Sequence, residues 1–231
     1  MANQFHLEIL KQGKIAWNRW RQENAHVQPD LSEAFLIEVQ LEDTNLSHVN
    51  FTHANLLKAN LSGANLRNAN LNGATLIEAN CYEANLEHAT LVQAELRGAN
   101  LSDALIKFAN FQGNDLRETN IDGADFEGAN LSMLNLSKLF IDATGFSRAN
   151  LSYSSFAEGN ILNVDFREAN LMKANFEGAH IQSTDLFGAN LREANLRGAT
   201  IINAHLKQAH FVHVDLSETT FYRASLEGAI V

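Results

Sequence analysis

Residues 54–76 read ANLLKANLSGANLRNANLNGATL, an unbroken run of the unit A-N-L-x-x. The frame extends in both directions. From Leu31 to Val231 every fifth position is apolar: 41 positions, with 24 Leu, 9 Phe, 6 Ile, Cys81 and Val231. Two residues before each large apolar residue sits a small one, Ala in 26 of 40 cases. The residue between them is usually Asn or Asp, 19 and 5 times respectively. No insertion or deletion disturbs the frame. A period of five suits neither a helix nor a flat strand. It suits a chain that turns a corner every five residues and points one large side chain inward from each side. So narrow an interior has no room for a second large side chain, which explains the Ala. Ten of the 13 Gly fall two residues after the large apolar residue, as Gly63, Gly123, Gly188 and Gly228 do. A turn requiring positive φ selects Gly at such a position.

The number of sides follows from which residues repeat. Ile121, Ile141, Ile161, Ile181 and Ile201 lie 20 apart, as do Phe126, Phe146 and Phe166, and Phe156 with Phe176. Like stacks on like, so one coil has four sides of five residues. The fold class is an all-β solenoid. About ten four-sided coils at roughly 4.8 Å per layer give a rod roughly 48 Å long.

With these repeats the chain resembles the pentapeptide-repeat family, over residues 31–231. The resemblance implies a right-handed quadrilateral β-helix, of the bacterial type with a short N-terminal α-helical cap. Two regions depart from the unit. Within residues 131–160, Leu134 and Leu139 stand where Ala belongs and Phe140 where Asn belongs. The first coils, with Phe35, Val39, Thr44 and Val49, are also irregular. Swollen coils are expected there, with Leu134 and Leu139 buried and Phe140 exposed.

Residues 1–30 are a different kind of sequence. Leu7, Leu10, Ile15, Trp17 and Trp20 alternate with Lys11, Lys14, Arg19 and Arg21, approximating a helix with one apolar side. Gly13 weakens its middle, and Pro29–Asp30 ends it. The segment is expected to cap and connect to the first coil, because a solenoid end exposes both a strand edge and a core. A helix that binds a partner or lies on a membrane surface is the other reading.

Composition narrows the function. A net charge of −10 argues against direct nucleic-acid binding, which needs basic surface. A hydrophobic share of 45% excludes a disordered chain. One Cys excludes a disulfide framework. The first residues lack an uninterrupted apolar signal run and no segment is long enough to span a membrane, so a cytoplasmic protein is the expectation. No phosphate loop, HExxH or Cys-rich metal spacing is present, and a filled tube offers no pocket in which catalytic groups could converge. The chain is therefore expected to be no enzyme, with no catalytic residues, no metal site and no cofactor. His205, His210 and His213 read as surface residues, and Cys81 as a buried, inert stand-in for Leu. The Asn before each large apolar residue reads as a corner device whose amide bonds backbone groups, stacked coil upon coil, with Asp115, Asp125, Asp165, Asp185 and Asp215 serving similarly.

Function on such a rod lies on its outer sides, and these differ in charge. The side of Leu41, Leu61 and Cys81 displays Glu42, Asp43, Glu83, Asp103, Asp122 and Asp142, with no Lys or Arg before Arg223. The side of Leu46 and Leu66 displays Arg67, Glu87, Lys107 and Glu127, alternating in sign and self-neutralising. The acidic side is the candidate partner-binding surface. Ile37, Leu57 and Ile77 should form an outward apolar line, and with Phe140 they are the candidate apolar contacts. Some members of the family mimic DNA and bind DNA gyrase, giving quinolone protection. Here six carboxylates over roughly 29 Å compare with roughly 17 phosphate charges on the same length of duplex, so the mimicry is thin. The leading reading is a noncatalytic interaction or scaffold rod for an unknown protein partner. A gyrase- or topoisomerase-binding DNA mimic and a purely structural element are the alternatives. The apolar end formed by Ile230 and Val231 suggests a homodimer through the C-terminal coil.

Overall fold

The structure, a computed structural model, describes residues 1–230; the expectations for Val231 lie outside the described residues. Two short helices, α1 (Gln4–Lys11) and α2 (Lys14–Glu23), precede a β-solenoid. Every parallel pairing in the solenoid joins residues 20 apart, from Asp30↔Asn50 to His210↔Ile230. The lag-20 ladders in the sequence are thus the layers of the rod, four sides to each turn.

Each five-residue unit is a β-turn followed by one extended residue. In the unit starting at Leu61, the Ala64 amide donates to the Leu61 carbonyl at 3.0 Å, closing the turn. Asn60 and Asn65 on either side pair with the neighbouring layers. The third residue of each unit, from Glu33 to Gly228, has positive φ: ten are Gly and thirty are not, Glu33 and His48 at +59° among them. This revises the sequence reading of Gly. A non-Gly residue in this region costs roughly 1–2 kcal/mol, yet three-quarters of the corners bear that cost. Burying one inward Leu or Phe returns roughly 1.5–3 kcal/mol, so the unit tolerates it. Gly is required where the layer below needs space: a Cβ on Gly63 or Gly123 would overlap the carboxylate of Asp43 or Asp103.

The Asn column is a second ladder made of side chains. Asn Oδ1 accepts from the amide two residues on, as Asn50 does from Thr52 at 3.1 Å. Its Nδ2 donates to the Oδ1 one layer away, as in the series Asn190, Asn170, Asn150, Asn130, Asn110 at 3.1–3.2 Å. An Asp keeps the first bond and lacks the donor for the second. Arg117 and Arg167 of the same units fork onto Asp115 and Asp165, and at Asp185 the side chain one layer on, His205, lies at 3.0 Å.

The core is filled by four inward side chains per layer, one from each side. Phe126, Phe146 and Phe166 stack with centroids 5.2 and 5.4 Å apart, and Phe156 on Phe176 at 4.8 Å. Phe rings on opposite sides meet edge to face, as Phe156 and Phe166 do at 90°. On the Ile side the bridges lengthen into five parallel strands, β1 (Phe140–Asp142), β2 (Asn160–Leu162), β3 (His180–Gln182), β4 (Thr200–Ile202) and β5 (Thr220–Tyr222), paired in order. Ile141, Ile161, Ile181 and Ile201 are in direct register. Thr144, Val164 and Thr184 at the following corners add further β-branched residues, which favour extended backbone.

Leu134 and Leu139 are buried and Phe140 is exposed, as their positions suggest. The first coils are more regular than expected: the sides carrying Phe35, Val39, Thr44 and Val49 hold the ladder, with Phe35↔Asn55 and Asn45↔Asn65.

The leading segment forms two helices where one was expected, because Gly13 takes φ +93° between them. They cover the first coil by substituting side chains for an absent layer. Trp17, fully buried, donates its Nε1–H to the Asn45 carbonyl at 2.8 Å, and Asn18 Oδ1 accepts from the Asn45 amide at 2.8 Å. Buried Arg21 donates to the Val27 and Ser47 carbonyls at 2.7 and 2.9 Å, and burial pushes its guanidinium pKa down. His6 Nδ1 accepts from the Asp30 amide at 3.0 Å.

Two tests follow from the burial. Ile161→Asp places an uncompensated charge in a fully buried column and should lower stability by several kcal/mol; a variant with wild-type thermal unfolding contradicts the packing. Burial also pushes the Cys81 thiol up to about 12. It should resist a thiol reagent at pH 8 in the native rod and react fully in denaturant; rapid native labelling contradicts its enclosure.

Candidate functional site

The acidic side is built by the units that begin at Leu41, Leu61, Cys81, Leu101, Ile121 and Ile141. Its outward residues come from the second and third positions, which the turn keeps out of the core. The six carboxylates are not equivalent. Lys14 of α2 pairs with Asp43 at 2.9 Å. Glu42 is half-buried, with one carboxylate oxygen enclosed and without a hydrogen-bond partner. The cap thus neutralises Asp43, which stays exposed, and Glu42 lies partly enclosed. Asp122 accepts from the Asp142 amide at 2.9 Å, and Asp142 accepts from Asn163 at 2.8 Å. Glu83 and Asp103 are exposed and make no ion pair among the described residues. The Glu83 carboxylate pushes the neighbouring Tyr82 phenol above its ordinary pKa. Among the described residues, the carboxylates of this side without an ion pair are therefore Glu83 and Asp103, which are exposed, and Glu42, Asp122 and Asp142, which are half-buried.

Elsewhere charge is neutralised between layers. Arg67 pairs with Glu87, and Lys107 with both Glu127 at 2.9 Å and Asp125 at 3.0 Å, which pushes the Lys107 pKa up. Lys58–Glu78, Arg148–Glu168 and Lys173–Glu193 do the same at 3.4, 3.0 and 3.3 Å. His205 is taken by Asp185, and no group of three or more His, Cys, Asp or Glu among the described residues is placed to hold a metal ion. No helix is long and apolar enough to cross a membrane.

The apolar line is uneven. Ile37 is open, Leu57 and Ile77 are half-buried, and Ile77 lies at the edge of a cleft. That cleft, of about 510 Å³, is lined by Ala94, Glu95, Leu96, Arg97, Asp115, Arg117 and Glu118 as well. It has no counterpart in the sequence reading, which placed irregularity in the first coils and within residues 131–160. Between the layers at Leu96 and Leu116 the ladder is interrupted. The amides of Gln93, Leu96 and Gly98 have no partner among the described residues, and the carbonyls of Gln112, Asp115 and Arg117 accept nothing. The Glu95–Asp115 pairing is missing although its neighbours above and below are present.

Asn114 and Thr119 bound the gap. They occupy small-residue positions at the two ends of this side, directly above Ala94 and Ala99 and below Leu134 and Leu139. Both are buried, and they reach back by side chain: Asn114 Nδ2 to the Leu91 carbonyl at 2.8 Å, Thr119 Oγ1 to the Leu96 carbonyl at 3.1 Å. An Ala-to-Thr step alone leaves the ladder intact, as where Thr219 stands over Ala199 and donates to the Leu196 carbonyl at 2.7 Å. The gap coincides with the pair of larger residues, Asn114 with Thr119, in adjacent units. The signal was in the sequence, as two polar residues in adjacent units of the Ala column.

A family profile described as Pentapeptide repeats matches residues 30–63, 54–93, 79–113, 94–132, 149–188 and 189–228. No curated protein matches the chain. Among solved structures, the chain is similar to HetL of Nostoc sp. strain PCC 7120, a pentapeptide repeat protein involved in heterocyst differentiation regulation. Identity is 24%, with 87% of this chain and 92% of HetL covered and a TM-score of 0.55. Lower likenesses include a thylakoid-lumen pentapeptide repeat protein of Arabidopsis thaliana (24% identity, 58% and 66% covered, TM-score 0.29). QnrB1, a plasmid-mediated fluoroquinolone resistance protein, is another (16% identity, 83% and 88% covered, TM-score 0.34). With the repeat matched over most of the rod and every layer in a 20-residue register, the chain belongs to the pentapeptide-repeat family.

Proposed function

We propose that this chain is a noncatalytic interaction rod whose protein partner docks on the acidic side. The observation that carries the reading is charge: Glu83, Asp103, Asp122 and Asp142 face outward with no Lys or Arg opposing them along that side. Cations on the other sides are mostly held by carboxylates. A surface that keeps its charge unneutralised suits a basic partner surface, steering association and fixing orientation more than it adds affinity. The interior supports the same reading, because its columns of Leu, Ile and Phe leave no chamber for substrate.

The gyrase-binding alternative stays in second place. Two of the six carboxylates are occupied or enclosed at the cap, which thins an already sparse imitation of duplex charge. A supercoiling assay separates the two readings: at micromolar protein, gyrase activity should be unchanged, and inhibition would favour the mimic. For the interaction reading, the partner is captured from the source cell lysate and measured against purified rod. Asp103→Lys with Asp122→Lys should weaken binding roughly tenfold or more, and wild-type binding should fall as salt is raised. Binding that ignores both the charge reversal and the salt removes the acidic side from the function.

A further inference from the structure

We propose that the cleft between the layers at Leu96 and Leu116 accepts an extended segment of a partner protein as an added β-strand, with an acidic side chain of that segment on Arg97. This rests on the interaction-rod reading and gives it a second, sharper site.

The backbone carries the argument. In regular layers each side bonds to the next through amides three and two residues apart, as Leu76 and Glu78 bond to Glu95 and Arg97 at 2.7 and 3.0 Å. A smaller break, at Glu118, Ile121 and Phe140, lies one layer further on. At the cleft the regular set is left open: donors at Gln93, Leu96 and Gly98 on one lip, acceptors at Gln112, Asp115 and Arg117 on the other, together with the Asp115 amide and the Ala94 carbonyl. Both lips are held from outside. The Glu78 amide donates to the Arg97 carbonyl at 3.0 Å below, and the Gly113 and Leu116 amides donate to Ser132 and Asn135 at 2.9 and 3.0 Å above. The arrangement is an unpaired strand edge on a fixed frame, and an extended peptide adds to such an edge through main-chain bonds. A cleft of about 510 Å³ has room for a short segment.

Side chains give the segment its chemistry. Asp115 is already taken by Arg117, whose fork holds the carboxyl below its usual range, and Glu95 accepts from Thr75 at 3.0 Å. Arg97 alone among the basic residues of the cleft makes no ion pair among the described residues, so it calls for a carboxylate. Ile77, half-buried at the rim, calls for an apolar neighbour.

Hydrogen exchange on the full chain is the first test. In the free protein the Gln93, Leu96 and Gly98 amides should exchange at least tenfold faster than those of Gly73, Leu76 and Glu78 one layer below; equal protection overturns the proposal. The probe for binding is a displayed library of random linear twelve-residue peptides, selected on the immobilised chain. Selected peptides should combine an acidic with an apolar residue and protect those three amides. They should lose roughly tenfold or more in affinity with Arg97→Glu. Asn114→Ala with Thr119→Ala, which restores the Ala column, should close the gap and abolish binding. If that variant does not fold, Arg97→Glu and the exchange data decide alone. A library without such peptides, or peptides indifferent to Arg97→Glu, overturns the site. Protection of the same amides that appears only as protein concentration rises, with no peptide present, assigns the cleft to a second copy and overturns the partner assignment. The two surfaces fail separately: oligolysine binding that is lost in Asp103→Asn with Asp122→Asn but kept in Arg97→Glu preserves the acidic-side reading whatever the cleft does.

Discussion

The rod depends on a cross-section that admits one large side chain per side and, in most units, only a small residue beside it. That limit dictates the five-residue unit. The chain must turn after each inward residue, the turn places the following residue in the left-handed region, and the extended residue between turns is the one free to pair with the next layer. Forty successive corners obey this, most of them without Gly. The backbone strain is sustained because corners bond to the layers above and below, with breaks among the described residues only around Gln93, Gly98 and Glu118.

Narrowness also explains where the structure is weak. A regular stack has no slack, so a change in width must be absorbed at the boundary between narrow and wide layers. Ala94 and Ala99 are followed one layer on by Asn114 and Thr119, and then by Leu134 and Leu139. Interruptions fall at both steps. At the first, hydrogen bonds from the Asn114 and Thr119 side chains replace part of a lost backbone set. At the second, under Leu139, the Glu118, Ile121 and Phe140 amides lack the usual bonds to the neighbouring layer. Small residues return at Ser154 and Gly159 with no comparable break.

Ends follow the same logic. The first coil lacks a layer below it, and α1 and α2 supply donors and acceptors from Trp17, Asn18, Arg21 and His6 in its place. Doing so neutralises part of the acidic side: Lys14 pairs with Asp43, which stays exposed, and one carboxylate oxygen of Glu42 is enclosed. The unneutralised acidic charge lies toward the middle of the rod, beyond the cap.

By itself the sequence determined the layers, because a strict period with identical residues at lag 20 leaves only one way to stack like on like. Ile161 on Ile181 and Phe156 on Phe176 were legible in advance for that reason, as were the burial of Cys81 and the exposure of Phe140. Tertiary structure decided what depends on contact between layers. The split of the leading segment at Gly13 was decided by docking onto the first coil. Gly63 and Gly123 turned out to make room for carboxylates from the layer below, a requirement that no single unit can reveal. The cleft at Leu96 was decided by the difference in width between two neighbouring layers, and a difference between neighbours exists only once the chain has been stacked.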